Sequence, residues 1–310
     1  MDVVSDAIAA VRTGSPSANR LRVSGSWCVR LEPYEGAGFH VALAGGCWLL
    51  PDGGAPLTLR PGDAVLLPHG AGHVLADAPA DPAAVARALP FDALPGIPPD
   101  VPPADSADAV ELLCGKYRLD RSRTHPLLAE LPDVVHLPHD DHSQPELRSA
   151  IDLLSREVVT ARPGSCAAVP SLLDLLLVYM IRAWTAGPAA GSDARWPHAL
   201  ADPVVTEALR LLHGDPAHGW TADRLAARAG VSRATLNRRF TALVGRPPMT
   251  YLTWWRMTRA ATLLRAADTP LDSVAREVGY GSPYALSHAF RREFGVTPGR
   301  YRTAVRVPAG

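Results

Sequence analysis

The sequence predicts a two-domain protein, with an N-terminal all-β barrel carrying a helical hairpin and a C-terminal all-α domain built from two helix–turn–helix units. Three observations predict it. The first 140 residues are dominated by short alternating or β-rich segments separated by Pro–Gly turns, whereas the last 110 residues carry an internal repeat of helical character. The charge is divided between the same two regions: residues 201–310 hold 16 Arg against 8 Asp and Glu, and residues 1–200 hold 15 Lys and Arg against 23 Asp and Glu. A chain of 310 residues is long enough for two cores. A net charge of zero is therefore the sum of a basic C-terminal third and an acidic remainder, the pattern of a polyanion-binding module joined to a part that binds none.

In chain order, "SWCVRLE", "FHVALAG", "CWLL", "PLTLR" and "AVLLP" read as strands between residues 20 and 80. "PDGG" (51–54) and "RPGD" (60–63) supply tight turns between them. Residues 80–105 hold seven prolines and read as a loop. Strand character returns over 110–119, followed by a helical turn at "HPLLAEL" and a last strand at "DVVHL". A small barrel or sandwich spanning 1–142 follows.

Residues 143–186 read as a helical hairpin. Leu147, Ile151, Leu154 and Val158 keep helical spacing, "PGS" at 163–165 breaks the chain, and Ser171 with Asp174 resembles a capping box opening a second, apolar helix that ends near Trp184. Such a hairpin must bury its apolar face in its own domain, against a second copy, or both. The apolar run Leu172–Ile181, broken by Asp174, is too short to span a bilayer, and no basic leader precedes an apolar stretch at the N-terminus, so a cytoplasmic protein is expected. The four cysteines are dispersed, which favours free thiols. Residues 187–200 read as a linker, and 201–310 as the helical domain.

Within that domain Leu225, Ala226 and Gly230 match Val274, Ala275 and Gly279 at a spacing of 49. After one inserted residue, Ser232, Leu236, Phe240, Gly245, Pro248 and Tyr251 match Ser282, Leu286, Phe290, Gly295, Pro298 and Tyr301 at a spacing of 50. Each matched type has a mechanical role: Ala where helices cross, Gly to end the first helix in a left-handed turn, Ser to cap the second, Leu and Phe at i and i+4 to face the core. The positions between them form the outward face. In the first unit these are Arg233, Ala234, Thr235, Asn237, Arg238 and Arg239; in the second, Pro283, Tyr284, Ala285, Ser287, His288 and Ala289. Arg and Asn on the N-terminal part of such a helix can fork onto guanine and adenine edges in the major groove, whereas the second face suits fewer or weaker contacts.

"WTADRLAARAGVSRATLNRRF", "YLTWWRMTRAATLL" and "VAREVGYGSPYALSHAFRREFGVTPGRYR" together resemble the DNA-binding domain of AraC/XylS-family transcription regulators. The resemblance implies two recognition helices in successive major grooves of promoter DNA, joined by a long helix over about 248–266. Trp254, Met257 and Leu263 then face inward, and Arg256 and Arg259 serve structure or phosphate. It also implies RNA polymerase as a partner and a homodimer. His288 stands where many relatives carry Arg.

"GDAVLLPHGAGHVLAD" (62–77) resembles the second cupin motif, with Gly62, Pro68, Gly70 and His73 in place and Asp77 at the usual Asn position. In metal cupins that histidine is a ligand. The first-motif region here, "GFHVALAGGCWLL", offers His40 without a second histidine or a nearby Glu, and Cys47 as a soft substitute only if Gly45–Gly46 forms a bulge. The resemblance implies a cupin-like sensor or dimerisation domain, with His40 and His73 as an effector or divalent-metal site. The alternative is a cupin-type metal-dependent enzyme fused to a DNA-binding domain. Cys28, Cys47 and Cys114 lie in strand-like segments; most such thiols are small buried hydrophobes, but one near Arg30 or His40 is a candidate oxidant sensor. Residue patterns for Ser/His/Asp or paired-carboxylate catalysis are not found. The expected function is a sequence-specific, effector-responsive transcription regulator.

Overall fold

The computed structural model describes residues 2–79, 82–93, 109–119, 125–140, 144–160, 162–187, 194–266 and 268–306. Most of the Pro-rich 80–105 stretch and residues 188–193 of the expected linker lie outside them. The chain forms two compact units, one of Val11–Thr124 and Leu128–Ser192, the other of Met1–Ala10, His125–Leu127 and Asp193–Gly310.

The first unit is a sandwich of two five-stranded sheets. Strands β1 (Ser17–Val23), β2 (Cys28–Leu31), β3 (Gly36–Ala44), β4 (Cys47–Pro51), β5 (Leu57–Leu59), β6 (Ala64–Leu67), β7 (His73–Ala76), β8 (Leu89–Pro90), β9 (Val110–Arg118) and β10 (Val135–Leu137) carry it. One sheet has the order β1-β9-β3-β6-β10 and the other β5-β4-β7-β2-β8, antiparallel throughout except for β2 beside β8. Strand alternation sends Leu21, Ala42, Leu112, Leu49, Leu59 and Leu75 into one core between the sheets. β1 and β7, and the short β8 inside the stretch expected as a loop, were not delimited from sequence and complete the two sheets.

The hairpin expected at 143–186 is present as α4 (Pro145–Thr160) and α5 (Ser165–Ala186), following the short helices α2 (Pro82–Val85) and α3 (Pro126–Ala129). Two expectations for α5 are corrected. It starts at Ser165 after Gly164, not at Ser171, whose hydroxyl donates to the Ala167 carbonyl inside the helix. Pro170 sits in the first turns and does not end the helix. At 22 residues α5 is also long and apolar enough by composition to cross a membrane, which the ten-residue run did not suggest. Leu173, Leu176, Leu177, Met180, Ile181 and Trp184 are nevertheless buried within the unit, Asp174 pairs with Arg12, and the Tyr117 hydroxyl donates to the Leu173 carbonyl at 2.8 Å. Those contacts hold one face of α5 against the rest of the unit.

The second unit is all helix. It contains α1 (Val3–Val11) through residue 10, then α6 (Arg195–Ala201), α7 (Pro203–Gly214), α8 (Ala222–Arg228), α9 (Arg233–Val244), α10 (Pro248–Ala266), α11 (Leu271–Glu277), α12 (Pro283–Phe294) and α13 (Pro298–Arg306). α6 corrects the end of the expected linker, because Trp196 and Ala199 are buried. Residues 1–10 and 125–127 correct the expected 1–142 domain, since they pack with this helical unit.

The repeat folds as two equivalent units. Gly230 and Gly279 have φ of 69° and 80° and end α8 and α11 with the same pair of bonds. Val231 N–H donates to Ala226 and Gly230 N–H to Ala227 in one; Tyr280 N–H donates to Ala275 and Gly279 N–H to Arg276 in the other. Ser232 and Ser282 then cap α9 and α12 by accepting from Thr235 N–H and Ala285 N–H, each at 3.2 Å. Leu236, Phe240, Leu286 and Phe290 are wholly buried, and the rings of Phe240 and Phe290 meet Tyr251 and Tyr301 edge-on at 5.6 and 5.4 Å.

The two equivalent glycines differ in their surroundings. A Cβ on Gly230 meets nothing within 4 Å, whereas one on Gly279 lies 2.8 Å from the Ala217 Cα. Gly230→Ala is expected to cost about 1 kcal/mol of left-handed backbone strain. Gly279→Ala is expected to cost about 3 kcal/mol, because steric overlap adds to the strain. Denaturant unfolding of the two variants measures the difference.

Candidate nucleic-acid interface and barrel cavity

Capping and core packing fix the rotation of α9 about its axis. With Leu236 and Phe240 inward, Arg233, Ala234, Asn237, Arg238 and Arg239 are exposed and Thr235 is half-buried, its hydroxyl 2.9 Å from Ser232 Oγ. Arg233 faces Asp223 at 3.5 Å and Arg239 faces Asp202 at 3.4 Å. Among the described residues Arg238 has no ion-pair partner, so its guanidinium is the one on this helix not shared with an acid. On α12, Tyr284, Ala285 and His288 are exposed, and Pro283 and Ser287 are half-buried. Ala289, expected to face outward, is buried beside Phe290 instead.

α10 spans the expected 248–266. Met257 faces inward as expected, but Trp254 and Leu263 are half-buried and their neighbours Trp255 and Leu264 are the fully buried pair. Arg256 is structural: its guanidinium donates to the carbonyls of Pro216 at 2.7 Å and His218 at 3.0 Å. Arg259 faces Glu277 at 3.4 Å.

Beneath the first helix–turn–helix unit lies a buried polar chain that no sequence pattern announced. Leu127 N–H donates to His125 Nδ1 at 3.1 Å, which leaves the proton of a neutral ring on Nε2. That N–H donates to the Tyr251 hydroxyl at 2.9 Å, the hydroxyl donates to His213 Nε2 at 2.8 Å, and His213 Nδ1–H donates to the Asp6 carboxylate at 2.8 Å. His213 stacks on Trp255 with ring centroids 4.3 Å apart. Burial holds the pKa of both imidazoles below the usual range, for His125 aided by His213, and for His213 despite Asp6.

A second directed chain lies inside the sandwich. His40 on β3 is paired in register with Cys114 on β9, and His73 lies on β7 of the opposite sheet. His73 Nδ1 is 2.9 Å from the Ala71 carbonyl, which only an N–H can satisfy, so His73 Nε2 is an acceptor. His40 Nε2–H therefore donates to it at 2.8 Å, and His40 Nδ1 accepts from the Cys114 thiol at 3.0 Å. These three side chains form one wall of a cavity of about 960 Å³, which also touches Asn19, Lys116 and Tyr34. The Tyr34 hydroxyl is buried without a hydrogen-bond partner among the described residues, and a Cβ on Gly38 would lie 2.8 Å from it. Burial raises the Tyr34 pKa, so the group enters the cavity as an O–H donor.

The structure brings His40 and His73 together, as the motif resemblance implied, with their Nε2 atoms joined by a hydrogen bond at 2.8 Å. Among the described residues no group of three or more His, Cys, Asp or Glu side chains is gathered around them. Cys47 does not join them: it lies on β4 in the apolar core, and burial pushes its thiol up to about 12. Burial also raises the pKa of Cys114, with Cys47 adding to it, and of Cys28, where Asp77 adds to it. Burial thus works against the thiolate that a nearby His40 was expected to favour. Cys114 as the partner of His40 was missed, since only strand register reveals it.

A β-sandwich joined to paired helix–turn–helix units, whose second helices turn their polar faces outward, is the architecture of a class of DNA-binding regulators. Residues 2–186 match the cupin family model and residues 225–304 a helix-turn-helix domain model. A putative AraC-like transcription regulator of Streptomyces antibioticus is 35% identical over 308 residues, covering 97% of this chain and 98% of that one. Another from Streptomyces lividans is 36% identical over 310 residues, covering 99% and 100%. The DNA-binding domain of AdpA, solved in complex with a target DNA, is 38% identical over 35% of this chain and 99% of that one, with a TM-score of 0.32. The chain belongs to the AraC-like transcription regulators, and it is a DNA-binding transcription regulator with an N-terminal cupin domain.

Four buried imidazoles, His40, His73, His125 and His213, have pKa values below the free value of 6.5, chiefly through burial. The unfolded chain takes up protons that the folded one refuses, so stability is expected to fall as pH drops below about 6.5. Each imidazole contributes up to about 1.4 kcal/mol per pH unit while it stays neutral. Urea unfolding at pH 7.5 and 5.5 measures the loss, and a midpoint independent of pH across that window would contradict it.

Proposed function

We propose that the protein grips promoter DNA with α9 and α12 in successive major grooves, using Arg233, Ala234, Thr235, Asn237, Arg238 and Arg239 in the first helix and Pro283, Tyr284, Ala285, Ser287 and His288 in the second. The observation that carries this reading is the division of α9 into a wholly buried Leu236–Phe240 edge and an exposed Arg- and Asn-bearing face, within a segment of net charge +8. Arg238, free of any acid among the described residues, is the leading base contact, with Asn237 beside it. Arg233 and Arg239 must leave Asp223 and Asp202 to reach DNA, which suits them to phosphate.

In this reading the cupin cavity beside His40 and His73 takes a small-molecule effector, and the regulator acts on transcription by RNA polymerase in the cytoplasm, without catalysis of its own. It does so as a homodimer joined through α4 and α5, where Leu153 and Leu175 leave 46% and 40% of their surface exposed.

Arg238→Ala is expected to weaken binding to a selected operator by about 1–3 kcal/mol and to relax base preference at one position. Fluorescence anisotropy against the operator and its single-base variants reads both effects; unchanged affinity removes Arg238 from the interface. Wild-type affinity should also fall steeply with salt. In sedimentation, Leu153→Asp combined with Leu175→Asp should shift the protein toward monomer, and an unaltered dimer would place the interface elsewhere.

A further inference from the structure

We propose that the second recognition helix reads DNA through Tyr284, which selects thymine by packing its ring against the C5-methyl group in the major groove. The inference rests on the reading that α12 enters that groove, and it names what the helix recognises there.

Tyr284 is 82% exposed, and the other exposed large hydrophobics among the described residues lie between 39% and 57%. An aromatic ring left in water on a folded surface loses the free energy that burial returns elsewhere. Its place in the repeat is specific. Ser232 and Ser282 are the caps of α9 and α12, so Tyr284 stands where α9 has Ala234, in the first turn from which such helices contact bases. The side chain projects from a stiff platform, because Ser282 caps the turn and Pro283 occupies its first position.

The neighbours exclude the chemistry used by α9. Pro283, Tyr284 and Ala285 make an apolar tip, Ser287 and His288 follow, and the arginines of α12, Arg291 and Arg292, sit in its last turn. The helix therefore offers no guanidinium of its own at the tip to fork onto a guanine edge. In the major groove the apolar feature that distinguishes one base from the other three is the thymine methyl, and aromatic and small apolar side chains recognise it by contact. The two helices would then read complementary features, hydrogen-bonding base edges under α9 and methyl groups under α12.

The test uses the full-length protein and an operator selected from random DNA. Each thymine in the half-site protected by the second unit is replaced singly by deoxyuridine, which removes only the methyl. At one or two positions the affinity of wild type should fall about fourfold, the worth of one buried methyl group. Tyr284→Ala should bind thymine and deoxyuridine equally at those positions while keeping the base preferences of the α9 half-site, and Tyr284→Phe should retain the methyl dependence. A Tyr284→Ala variant with wild-type methyl dependence overturns the proposal. So does one that binds the operator like wild type but loses transcriptional output, because Tyr284 would then contact a protein. Failure to select any sequence would remove the DNA-reading itself, and this proposal with it.

Discussion

The cost of taking an imidazole out of water organises both units. A buried histidine is cheapest as a neutral ring with each nitrogen given one role, donor or acceptor, and each unit contains a chain built on that rule. In the helical unit it runs from Leu127 N–H through His125, Tyr251 and His213 to Asp6; in the sandwich it runs from Cys114 through His40 and His73 to the Ala71 carbonyl. Both chains are fully directed, with every proton assigned by the partner at the end. They rigidify what surrounds them, and in the sandwich they tie Cys114, His40 and His73 into one hydrogen-bonded row.

The helical unit separates what must stay constant from what can vary. Glycine turns, serine caps and the Leu–Phe edge recur in both halves, and together they set the rotation of α9 and α12. Once that rotation is set, a change on the outer face costs little stability, because those side chains have few packed neighbours. The two halves can thus share a frame and still present different chemistry, Arg and Asn on one and an apolar, aromatic tip on the other. The first frame is also more heavily buttressed: Tyr251 carries a hydrogen-bond chain to Asp6 and His125, from segments distant in sequence.

The sandwich has a graded interior. Leu21, Leu112 and Ala42 form an apolar layer, and the next inward-facing row along the same strands carries Asn19, Cys114 and His40. A row further, Lys116 is opposite Gly38, whose missing side chain leaves room for the Tyr34 phenol. The histidine protons of that polar layer are already committed, whereas the Tyr34 hydroxyl has no partner among the described residues.

Much of this was legible in the residues themselves. The period of 49 and then 50, the Gly–Ser–Leu–Phe pattern and the joining helix over 248–266 determined the helical frame, because capping, turn geometry and i, i+4 packing are local and each residue type has one mechanical use. The outward face of α9 followed from that frame, as did the pairing of His40 with His73 from a motif. Only tertiary structure decided the rest. Cys114 meets His40 through strand register, which depends on pairing between segments about 74 residues apart. His125 and Asp6 belong with the helices because a hydroxyl and an imidazole buried far along the chain needed partners, and nothing near them in sequence records that need. Ala289 turned inward and α5 began six residues early for a related reason: burial is settled by what packs against an element, and that neighbour is not written in the element's own residues.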